Sequence, residues 1–264
     1  MSVMLQHEIA TSNGTLPAQL WLPQGASGQV PGLVVLQEIY GLSDYIQARC
    51  EDLADLGYAV LAPQVFARLD PPVDKVPEDG VEPEVALGQA LELAGKVDWD
   101  LAVRDGLAAM AALAGLGPVL EDRIGLLGFC FGGGLAFNIA AAASQTPPTT
   151  GAAPAGRAGR LPAALVSYYG SALPQLLPLA ADVDCPSLHI FGTADDYIPM
   201  EKVEQIREAV TAGGEREQVR VELHEGAGHA FDNPNPLFFH EQASVAAWAQ
   251  TREFLAEALP TGAS

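Results

Sequence analysis

Short apolar runs alternate with stretches of helical periodicity along the chain of 264 residues. Few polar residues interrupt these partly β-branched runs, as is typical of strands that are buried on both faces of a parallel sheet. The runs stand at residues 32–37, 58–61, 123–128, 161–168, 186–191 and 219–223. Because the rhythm continues throughout, we expect one α/β domain over residues 1–264, with helices on both faces of a twisted, mostly parallel sheet and no separate cap domain.

Helical periodicity fills the intervals between the strands. Ser43 offers an N-cap to a first helix whose inner side carries Ile46, Leu53 and Leu56, and Gly57 ends that helix. Further helices are expected at residues 85–113, as two helices that break near Gly95, and at residues 135–143, 200–210 and 238–259.

Three segments depart from this rhythm. Residues 4–9 and 16–22 predict an antiparallel hairpin with its turn at Asn13-Gly14, because both residues tolerate positive φ. Residues 69–83 are rich in Pro, Asp and Glu and predict a surface excursion. Residues 145–160 consist mainly of Pro, Gly, Ala and Thr without periodicity, which predicts a flexible loop.

Composition excludes several classes of protein. Apolar residues make up 49% of the chain and charged residues 17%, which excludes a disordered chain. Lys and Arg number 13 against 33 Asp and Glu, so the formal charge is −20 and the surface repels phosphate backbones and anionic lipid. We therefore expect neither a nucleic-acid partner nor a membrane partner.

The cysteines and the N-terminal stretch bear on compartment. Cys50, Cys130 and Cys185 form neither an even disulfide framework nor a CxxC pair. The N-terminal stretch lacks the basic start and the apolar run of a secretory signal. These features predict a cytoplasmic protein with free thiols, and we expect it to be a monomer.

The segment RIGLLGFCFGGG at residues 123–134 predicts a strand, a sharp turn and a helix. Within it, Gly128-Phe129-Cys130-Phe131-Gly132 has the form of a nucleophile elbow, with cysteine where serine usually stands. A strained turn of this kind leaves no room for a Cβ atom two residues before or after the nucleophile. The following helix directs its first N–H groups at the site, where they stabilise a thiolate and a developing oxyanion. Taken alone, the motif fits a buried structural cysteine equally well.

A carboxylate and a histidine follow in the order nucleophile, acid, histidine that α/β-hydrolases use. Asp195 comes directly after a predicted strand, with Asp196 as a competing carboxylate, and His229 lies beside a glycine after the next strand. Because open α/β sheets build their sites at the carboxyl ends of strands, we expect Cys130, Asp195 and His229 to lie together. His189 stands inside a strand and is expected in the core.

These motifs resemble those of the dienelactone hydrolase (carboxymethylenebutenolidase) family. The matching segments run in order along most of the chain: Gln37-Glu38-Ile39-Tyr40-Gly41, Gly128-Phe129-Cys130-Phe131-Gly132-Gly133, Gly192-x-x-Asp195-x-x-Ile198-Pro199 and Ala227-Gly228-His229-x-Phe231. The resemblance implies a single-domain α/β-hydrolase with a Cys-His-Asp triad that opens ester or lactone bonds in the degradation of aromatic compounds.

Carried over position by position, the resemblance makes Cys130 the nucleophile, His229 the base and later the acid, and Asp195 its orienting partner. It also suggests that Glu38 helps to take the thiol proton when substrate binds. Since a carboxylate beside a thiol disfavours the thiolate, the resting cysteine is expected to be neutral.

The expected oxyanion donors are the backbone N–H groups of Phe131 and Ile39. We expect no metal and no cofactor, because the chain has no HExxH or other paired-ligand spacing, and Gly132-Gly133-Gly134 lacks the Lys-Ser/Thr of a phosphate-binding loop. The expected partner is a small ester or lactone substrate, hydrolysed by two-step acyl transfer.

One departure from the family concerns the charge of the substrate. Family members that act on dienelactone bind its carboxylate with arginines, one of them four residues after the histidine, where this chain has Asn233. Asp232 beside it is expected to repel an anion. No arginine lies at residues 69–103, where the second family arginine would stand, although Arg68 and Arg104 bracket that segment. The chain therefore predicts a substrate that is neutral or bound differently.

Three alternatives stay open. The first is a broad small-ester carboxylesterase or thioesterase, and the second is a ligand-binding member of the fold without turnover. The third is a redox protein that uses Cys130 through a sulfenic acid, although Cys50 and Cys185 carry no motif that places a resolving thiol beside it. Candidate pocket walls, which fit core packing equally well, are Tyr40, Phe66, Trp99, Tyr168 and Phe231.

Overall fold

The structure is a computed structural model that describes residues 2–25, 28–77, 80–145 and 161–262. The flexible loop expected at residues 145–160 lies, except for Gln145, outside the described residues. Gln145 itself is the last residue of a helix.

The described residues contain one eight-stranded sheet. Its strands are β1 (Ser2–Thr11), β2 (Gly14–Pro23), β3 (Val30–Leu36), β4 (Ala59–Pro63), β5 (Val119–Phe129), β6 (Leu165–Tyr168), β7 (Ser187–Gly192) and β8 (Val219–His224). They lie in the order β1-β2-β4-β3-β5-β6-β7-β8. The pairs β1–β2 and β2–β4 are antiparallel, and the pairs β3–β4, β3–β5, β5–β6, β6–β7 and β7–β8 are parallel. The predicted α/β-hydrolase fold with an N-terminal hairpin is confirmed.

The turn of the hairpin differs from the prediction by one residue. Thr11 pairs with Gly14, so Ser12 and Asn13 form the turn. Gly14 has a φ of 91°, a left-handed conformation that glycine adopts without a Cβ clash. The glycine therefore starts the second strand and does not occupy the centre of the turn.

Helices cover both faces of the sheet. They are α1 (Asp44–Asp55), α2 (Pro83–Ala94), α3 (Trp99–Ala114), α4 (Phe131–Gln145), α5 (Leu173–Leu176), α6 (Met200–Thr211) and α7 (Glu241–Ala258), with short 3₁₀ helices at Val65–Arg68 and Leu177–Asp182. Apolar residues of α3, α4 and α6 form one core against the sheet, and those of α1 and α7 form the other. The predicted break near Gly95 is confirmed.

Helix α1 begins and ends close to the predicted positions. The Ser43 side chain accepts a hydrogen bond from the N–H of Ile46 and so caps the helix. Ile46 and Leu53 are buried as expected, whereas the expectation for Leu56 is wrong because its side chain is 37% exposed. Leu56 is the C-cap, and there the chain leaves the packed face.

Loops at the carboxyl edge of the sheet pack closely on one another. The predicted surface excursion returns to the loop after β3, where Gly41 and Lys75 form a β-bridge. Gly41 has a φ of 83°, and a Cβ atom there would lie 2.5 Å from the carbonyl oxygen of Asp74. This contact fixes the segment that contains Glu38 and Ile39.

Along the ranges that the structure covers, no helix combines the length and the apolar character needed to cross a bilayer.

Candidate active site

Cys130 occupies the sharp turn between β5 and α4. Its φ is 52°, a left-handed conformation that costs a residue with a Cβ atom about 1–2 kcal/mol. Backbone hydrogen bonds hold it there: its N–H donates to Tyr168 over 3.0 Å, and its carbonyl accepts from Gly133 and Ser171, each over 3.0 Å. The residue is 6% exposed, so the turn presents a shielded sulfur at the edge of the sheet.

Both glycines of the elbow are required by backbone contacts. A Cβ atom on Gly128 would lie 2.0 Å from the carbonyl oxygen of Gly132, and a Cβ atom on Gly132 would lie 2.2 Å from that of Leu36. The second contact places the first turn of α4 directly against the end of β3. The segment that contains Phe131 and the segment that contains Ile39 are therefore neighbours.

Cys130, His229 and Asp195 form a continuous chain of contacts. Nε2 of His229 lies 3.2 Å from Sγ of Cys130, and Nδ1 lies 2.8 Å from Oδ2 of Asp195. The other carboxylate oxygen of Asp195 accepts hydrogen bonds from the backbone N–H groups of Tyr197 and Ile198, over 2.8 and 2.9 Å. The structure thus brings together the three side chains that follow three different strands.

The acid loop and the histidine loop are joined by their backbones. A Cβ atom on Gly192 would lie 2.1 Å from the carbonyl oxygen of Ala227, and the N–H of Ala194 donates to the same oxygen over 2.9 Å. This close approach brings Asp195 within reach of the histidine. The competing carboxylate, Asp196, is exposed to solvent.

The charges at the site depend strongly on one another. Burial lowers the pKa of His229, but the electrostatic interaction with Cys130 and the hydrogen bonds to Asp195 and Cys130 outweigh burial and raise this pKa to about 10. Burial raises the pKa of Asp195, but hydrogen bonds from His229 and from two backbone N–H groups outweigh burial and lower it. These directions favour transfer of the Cys130 proton to His229, whose protonated form lies between Cys130 and Asp195.

Tyr169 supports His229 from the buried side. Its ring centroid lies 5.3 Å from that of the His229 imidazole, and the tyrosine is fully buried with a φ of 36°. Its hydroxyl is 3.2 Å from that of Tyr45 on α1. Nothing in the sequence motifs singled out Tyr169, because its role depends on this packing.

Glu38 is buried at the end of β3 and is held by two side chains. Its Oε1 accepts a hydrogen bond of 2.8 Å from Nδ2 of Asn233 and one of 3.4 Å from Oγ of Ser43. The Oδ1 of Asn233 accepts from the N–H of Asn235 over 2.8 Å. Asn233, at the position expected for an arginine, therefore binds within the protein through both ends of its amide.

The expectation that Asp232 repels an anionic substrate is not met, because Arg49 neutralises its carboxylate. Its carboxylate is buried and accepts hydrogen bonds of 2.6 and 2.9 Å from Arg49. It also accepts bonds of 2.6 Å from Tyr45 and from Ser244. Burial opposes the charge of Arg49, but the bonds to Asp232 outweigh burial and raise the pKa of Arg49. A neutralised ion pair therefore ties the histidine loop to α1.

The two arginines that bracket residues 69–103 are placed elsewhere. Arg68 donates hydrogen bonds of 2.8 and 3.0 Å to Asp105 and one of 2.8 Å to Thr11 at the hairpin. Arg104 lies on α3 beside a groove against the same hairpin. Neither Arg68 nor Arg104 therefore lies where the resemblance to the family predicts an arginine that binds the substrate carboxylate.

A cleft of about 540 Å³, which we call the histidine cleft, opens beside His229. Its lining residues are Ala194, Asp196, Tyr197, Gly226, Gly228, His229, Pro236, Leu237, Phe238, Phe239 and His240. Tyr197, Leu237 and Phe239 are 64%, 40% and 47% exposed. The sequence interpretation missed these three walls. It placed Phe238 and Phe239 in the closing helix, but this boundary is wrong because α7 begins only at Glu241, after the N-cap His240.

The pocket walls suggested from the sequence lie mostly in the core. The buried ones are Tyr40, Phe66, Tyr168 and Phe231. The partly buried Trp99 packs edge-on against the ring of Phe131, with ring centroids 5.2 Å apart.

The other candidate reactive groups are core residues. His189 is fully buried, and burial lowers its pKa to about 4. Cys50 and Cys185 are buried free thiols; burial raises the pKa of Cys185 to about 12 and that of Cys50 further. Among the described residues, no three or more His, Cys, Asp or Glu side chains cluster closely enough to hold a metal ion.

Comparison with known proteins places the chain in a family. The model of the dienelactone hydrolase family matches residues 16–259. Carboxymethylenebutenolidase from Pseudomonas putida is 30% identical over 232 residues, which are 88% of this chain and 87% of the relative. Carboxymethylenebutenolidase from Pseudomonas sp. strain P51 is 29% identical over 257 residues, which are 96% and 94% of the two chains.

Solved structures share the fold at lower identity. Dienelactone hydrolase from Anabaena variabilis superposes with a TM-score of 0.65 at 18% identity, over 98% of this chain and 99% of the other. A dienelactone hydrolase-like promiscuous phosphotriesterase from metagenomic libraries gives a TM-score of 0.72 at 22% identity, over 97% and 98%. The chain belongs to the dienelactone hydrolase family and is a hydrolase of ester or lactone bonds.

Proposed function

We propose that the chain hydrolyses small carboxylic esters or lactones by two-step acyl transfer through Cys130, His229 and Asp195. One observation carries the proposal: His229 lies 3.2 Å from the Cys130 sulfur and 2.8 Å from the Asp195 carboxylate. A nucleophile, a base and an orienting acid within hydrogen-bond reach of one another are what covalent acyl transfer requires.

In the first step, the Cys130 thiol gives its proton to Nε2 of His229 and the sulfur attacks the carbonyl carbon. The N–H groups of Phe131 and Ile39 stabilise the resulting oxyanion, and one such donor contributes about 3 kcal/mol. Phe131 is the first residue of α4, so its N–H has no acceptor within that helix. The carbon–oxygen bond then breaks, and the departing alcohol takes its proton from His229.

In the second step, His229 removes a proton from water, and the hydroxide attacks the thioester. The carbon–sulfur bond breaks, the acid is released, and the sulfur recovers its proton. Asp195 keeps Nδ1 of His229 oriented in both steps.

Two features near the site favour an uncharged substrate. The amide of Asn233 is occupied by Glu38 and Asn235, and the guanidinium of Arg49 is occupied by Asp232. A substrate carboxylate would therefore have to break a buried contact to reach either group.

For Glu38, we propose that it helps to take the thiol proton when substrate binds, from the position that Asn233 fixes.

The test is hydrolysis of para-nitrophenyl esters of increasing acyl length, beside an anionic dienelactone. We expect turnover of the neutral esters, and we expect Cys130→Ala to lose it while Cys185→Ala keeps it, because Cys185 is a buried core thiol. Asp195→Asn should lower kcat by about 10⁴, since the histidine loses its orienting partner. Asp196→Asn should lower it less than tenfold.

Full activity of Cys130→Ala would overturn the assigned nucleophile. Equal losses in Asp195→Asn and Asp196→Asn would overturn the assigned acid. Faster turnover of the anionic dienelactone than of the neutral esters would contradict an uncharged substrate.

A further inference from the structure

The histidine cleft combines exposed apolar side chains with direct access to His229. Leu237 and Phe239 are exposed into it, while Phe238 between them packs against the protein core. The ring of Tyr197 lies 5.1 Å from the imidazole of His229, on the solvent side. Exposed apolar side chains beside a reactive group are typical of a binding surface.

The loop that carries these walls is held in place by its own hydrogen bonds. The side chain of Asn235 accepts from the N–H of Leu237 over 3.0 Å, and its carbonyl accepts from Phe239 over 3.1 Å. The N–H of His240 donates to the carbonyl of Phe231 over 3.0 Å. Leu237 and Phe239 are therefore presented by a preformed surface, which reduces the ordering cost of binding.

The position of the cleft relative to the reacting atoms decides which part of a substrate it would hold. In acyl transfer, the oxyanion points to the donors on Phe131 and Ile39, and the departing oxygen must lie at Nε2 of His229, which protonates it. His229 lines the cleft, whereas neither Phe131 nor Ile39 does. The cleft therefore lies beside the alcohol portion of the substrate, which departs in the first step.

The charge of the lining favours an uncharged group. The carboxylate of Asp196 is exposed in the cleft, and no Lys or Arg is among its described lining residues. An anionic substituent would meet this carboxylate without a Lys or Arg to compensate, and the imidazole of His229 already contacts Asp195 and Cys130. The aromatic walls, Tyr197 and Phe239, offer ring faces and edges to a flat group.

We propose that the histidine cleft binds the alcohol portion of the ester and selects an uncharged aromatic alcohol. This inference rests on the proposed ester hydrolysis and names the substrate class for it. The bond between the acyl carbon and the aromatic alcohol's oxygen breaks, its electron pair stays on that oxygen, and His229 supplies the proton.

The test compares benzyl acetate with ethyl acetate, which share the acyl group. Because kcat/KM reports only the steps up to release of the alcohol, the ratio of the two kcat/KM values measures recognition of the alcohol. We expect Phe239→Ala and Leu237→Ala each to lower this ratio about fivefold to tenfold. The control is Leu5→Ala, an exposed apolar residue on β1, which should leave the ratio unchanged.

A charged analogue tests the second half of the proposal. We expect 4-(acetoxymethyl)benzoate to react at least fivefold more slowly than benzyl acetate, and Asp196→Asn to narrow that gap. An unchanged benzyl-to-ethyl ratio in both alanine variants would overturn the assignment of the cleft to the alcohol portion. A changed preference among acetate, butyrate and hexanoate esters would also overturn it, because the cleft would then hold the acyl portion. A benzoate that reacts as fast as benzyl acetate would overturn the requirement for an uncharged group.

A binding measurement separates this inference from the proposed function. Benzyl alcohol should perturb the NMR signals of His229 in Cys130→Ala, and the perturbation should weaken when Phe239→Ala is added. If that holds while the wild-type chain hydrolyses no ester, the proposed function fails and the cleft assignment stands. If esters are hydrolysed but benzyl alcohol leaves His229 unperturbed, the cleft assignment fails alone.

Discussion

The turn that carries Cys130 and the loop that carries His229 are held in place by different means. The turn is fixed by backbone against backbone, since Cβ atoms on Gly128 and Gly132 would lie 2.0 and 2.2 Å from carbonyl oxygens. The loop has one such backbone contact before the histidine, where Gly192 meets Ala227, but beyond the histidine a side chain anchors it: Asp232, three residues after the histidine, accepts hydrogen bonds from Arg49 on α1.

This difference separates what local sequence can specify from what only the folded chain can specify. Backbone packing at the turn needs glycine at two nearby positions, whatever else surrounds them. The bond between Arg49 and Asp232 joins residues 183 positions apart, so it exists only after the fold has brought α1 to the histidine loop. We therefore expect substitutions in the turn to lower stability and activity severely. Substitutions in the loop should lower them by amounts that depend on which contact is removed.

Gly132→Ala should have the largest effect. The new methyl group would overlap the carbonyl oxygens of Leu36 and Gln37, so α4 or β3 must shift. We expect a loss of about 3 kcal/mol or more in the free energy of unfolding, together with loss of ester hydrolysis. Urea denaturation and turnover of a para-nitrophenyl ester measure the two effects.

The matched control is Gly88→Ala in α2, where a Cβ atom would have no neighbour within 4 Å. Alanine favours helix over glycine by up to about 1 kcal/mol, so this variant should be equally or more stable and remain active. If Gly132→Ala behaved like Gly88→Ala, backbone packing would not be what fixes the turn.

Arg49→Met should lower activity less than Gly132→Ala does, although its cost in stability is similar. It leaves the buried carboxylate of Asp232 without its cation, which typically costs about 3–5 kcal/mol of stability. Because Asp232 follows the histidine closely, we also expect a lower kcat/KM. Chemical denaturation and steady-state kinetics measure both.

Arg220→Met supplies the comparison, since Arg220 pairs with Glu257 at the surface. Exposed pairs contribute about 0–1 kcal/mol, so this variant should stay close to the wild type. Equal losses in the two variants would mean that the Arg49–Asp232 pair does not anchor the loop.

The same distinction explains which expectations from the sequence were met. The sheet, the hairpin and the boundary between α2 and α3 follow from periodicity and glycine positions, which are local signals. The elbow motif, the chain order and the strand ends together predicted that Cys130, Asp195 and His229 lie close to one another. The direction of Asp232 and the partners of Asn233 depend on contacts between distant segments, so a neighbouring position in the sequence was a poor guide to them. The wall Tyr197 was missed because apolar residues in loops carry no periodic signal, and Phe239 was missed because helical periodicity extended the closing helix past its true start at Glu241.

The smallest expected effect is a change in the titration of one histidine, which leaves the fold intact. It compares His229 of the site with His189 inside β7. Burial lowers the pKa of His189 to about 4, whereas Cys130 and Asp195 overcome burial and raise that of His229 to about 10. By linkage, the contribution of His189 to stability is full above pH 6.5 and is lost as the pH falls towards 4. That of His229 is full below pH 6.5 and is lost as the pH rises through 10.

NMR titration of the imidazole Cε1–H signals should therefore show His189 neutral across most of the range in which His229 is protonated. Cys130→Ala removes the interaction that contributes most to the raised pKa of His229, so the midpoint of His229 should fall while that of His189 stays near 4. A midpoint for His229 near the ordinary value of 6.5 in the wild-type protein would mean that the contact with Cys130 carries no charge. The proton transfer from Cys130 to His229 would then have to wait until substrate binds, with Glu38, held by Asn233, as the group that assists it.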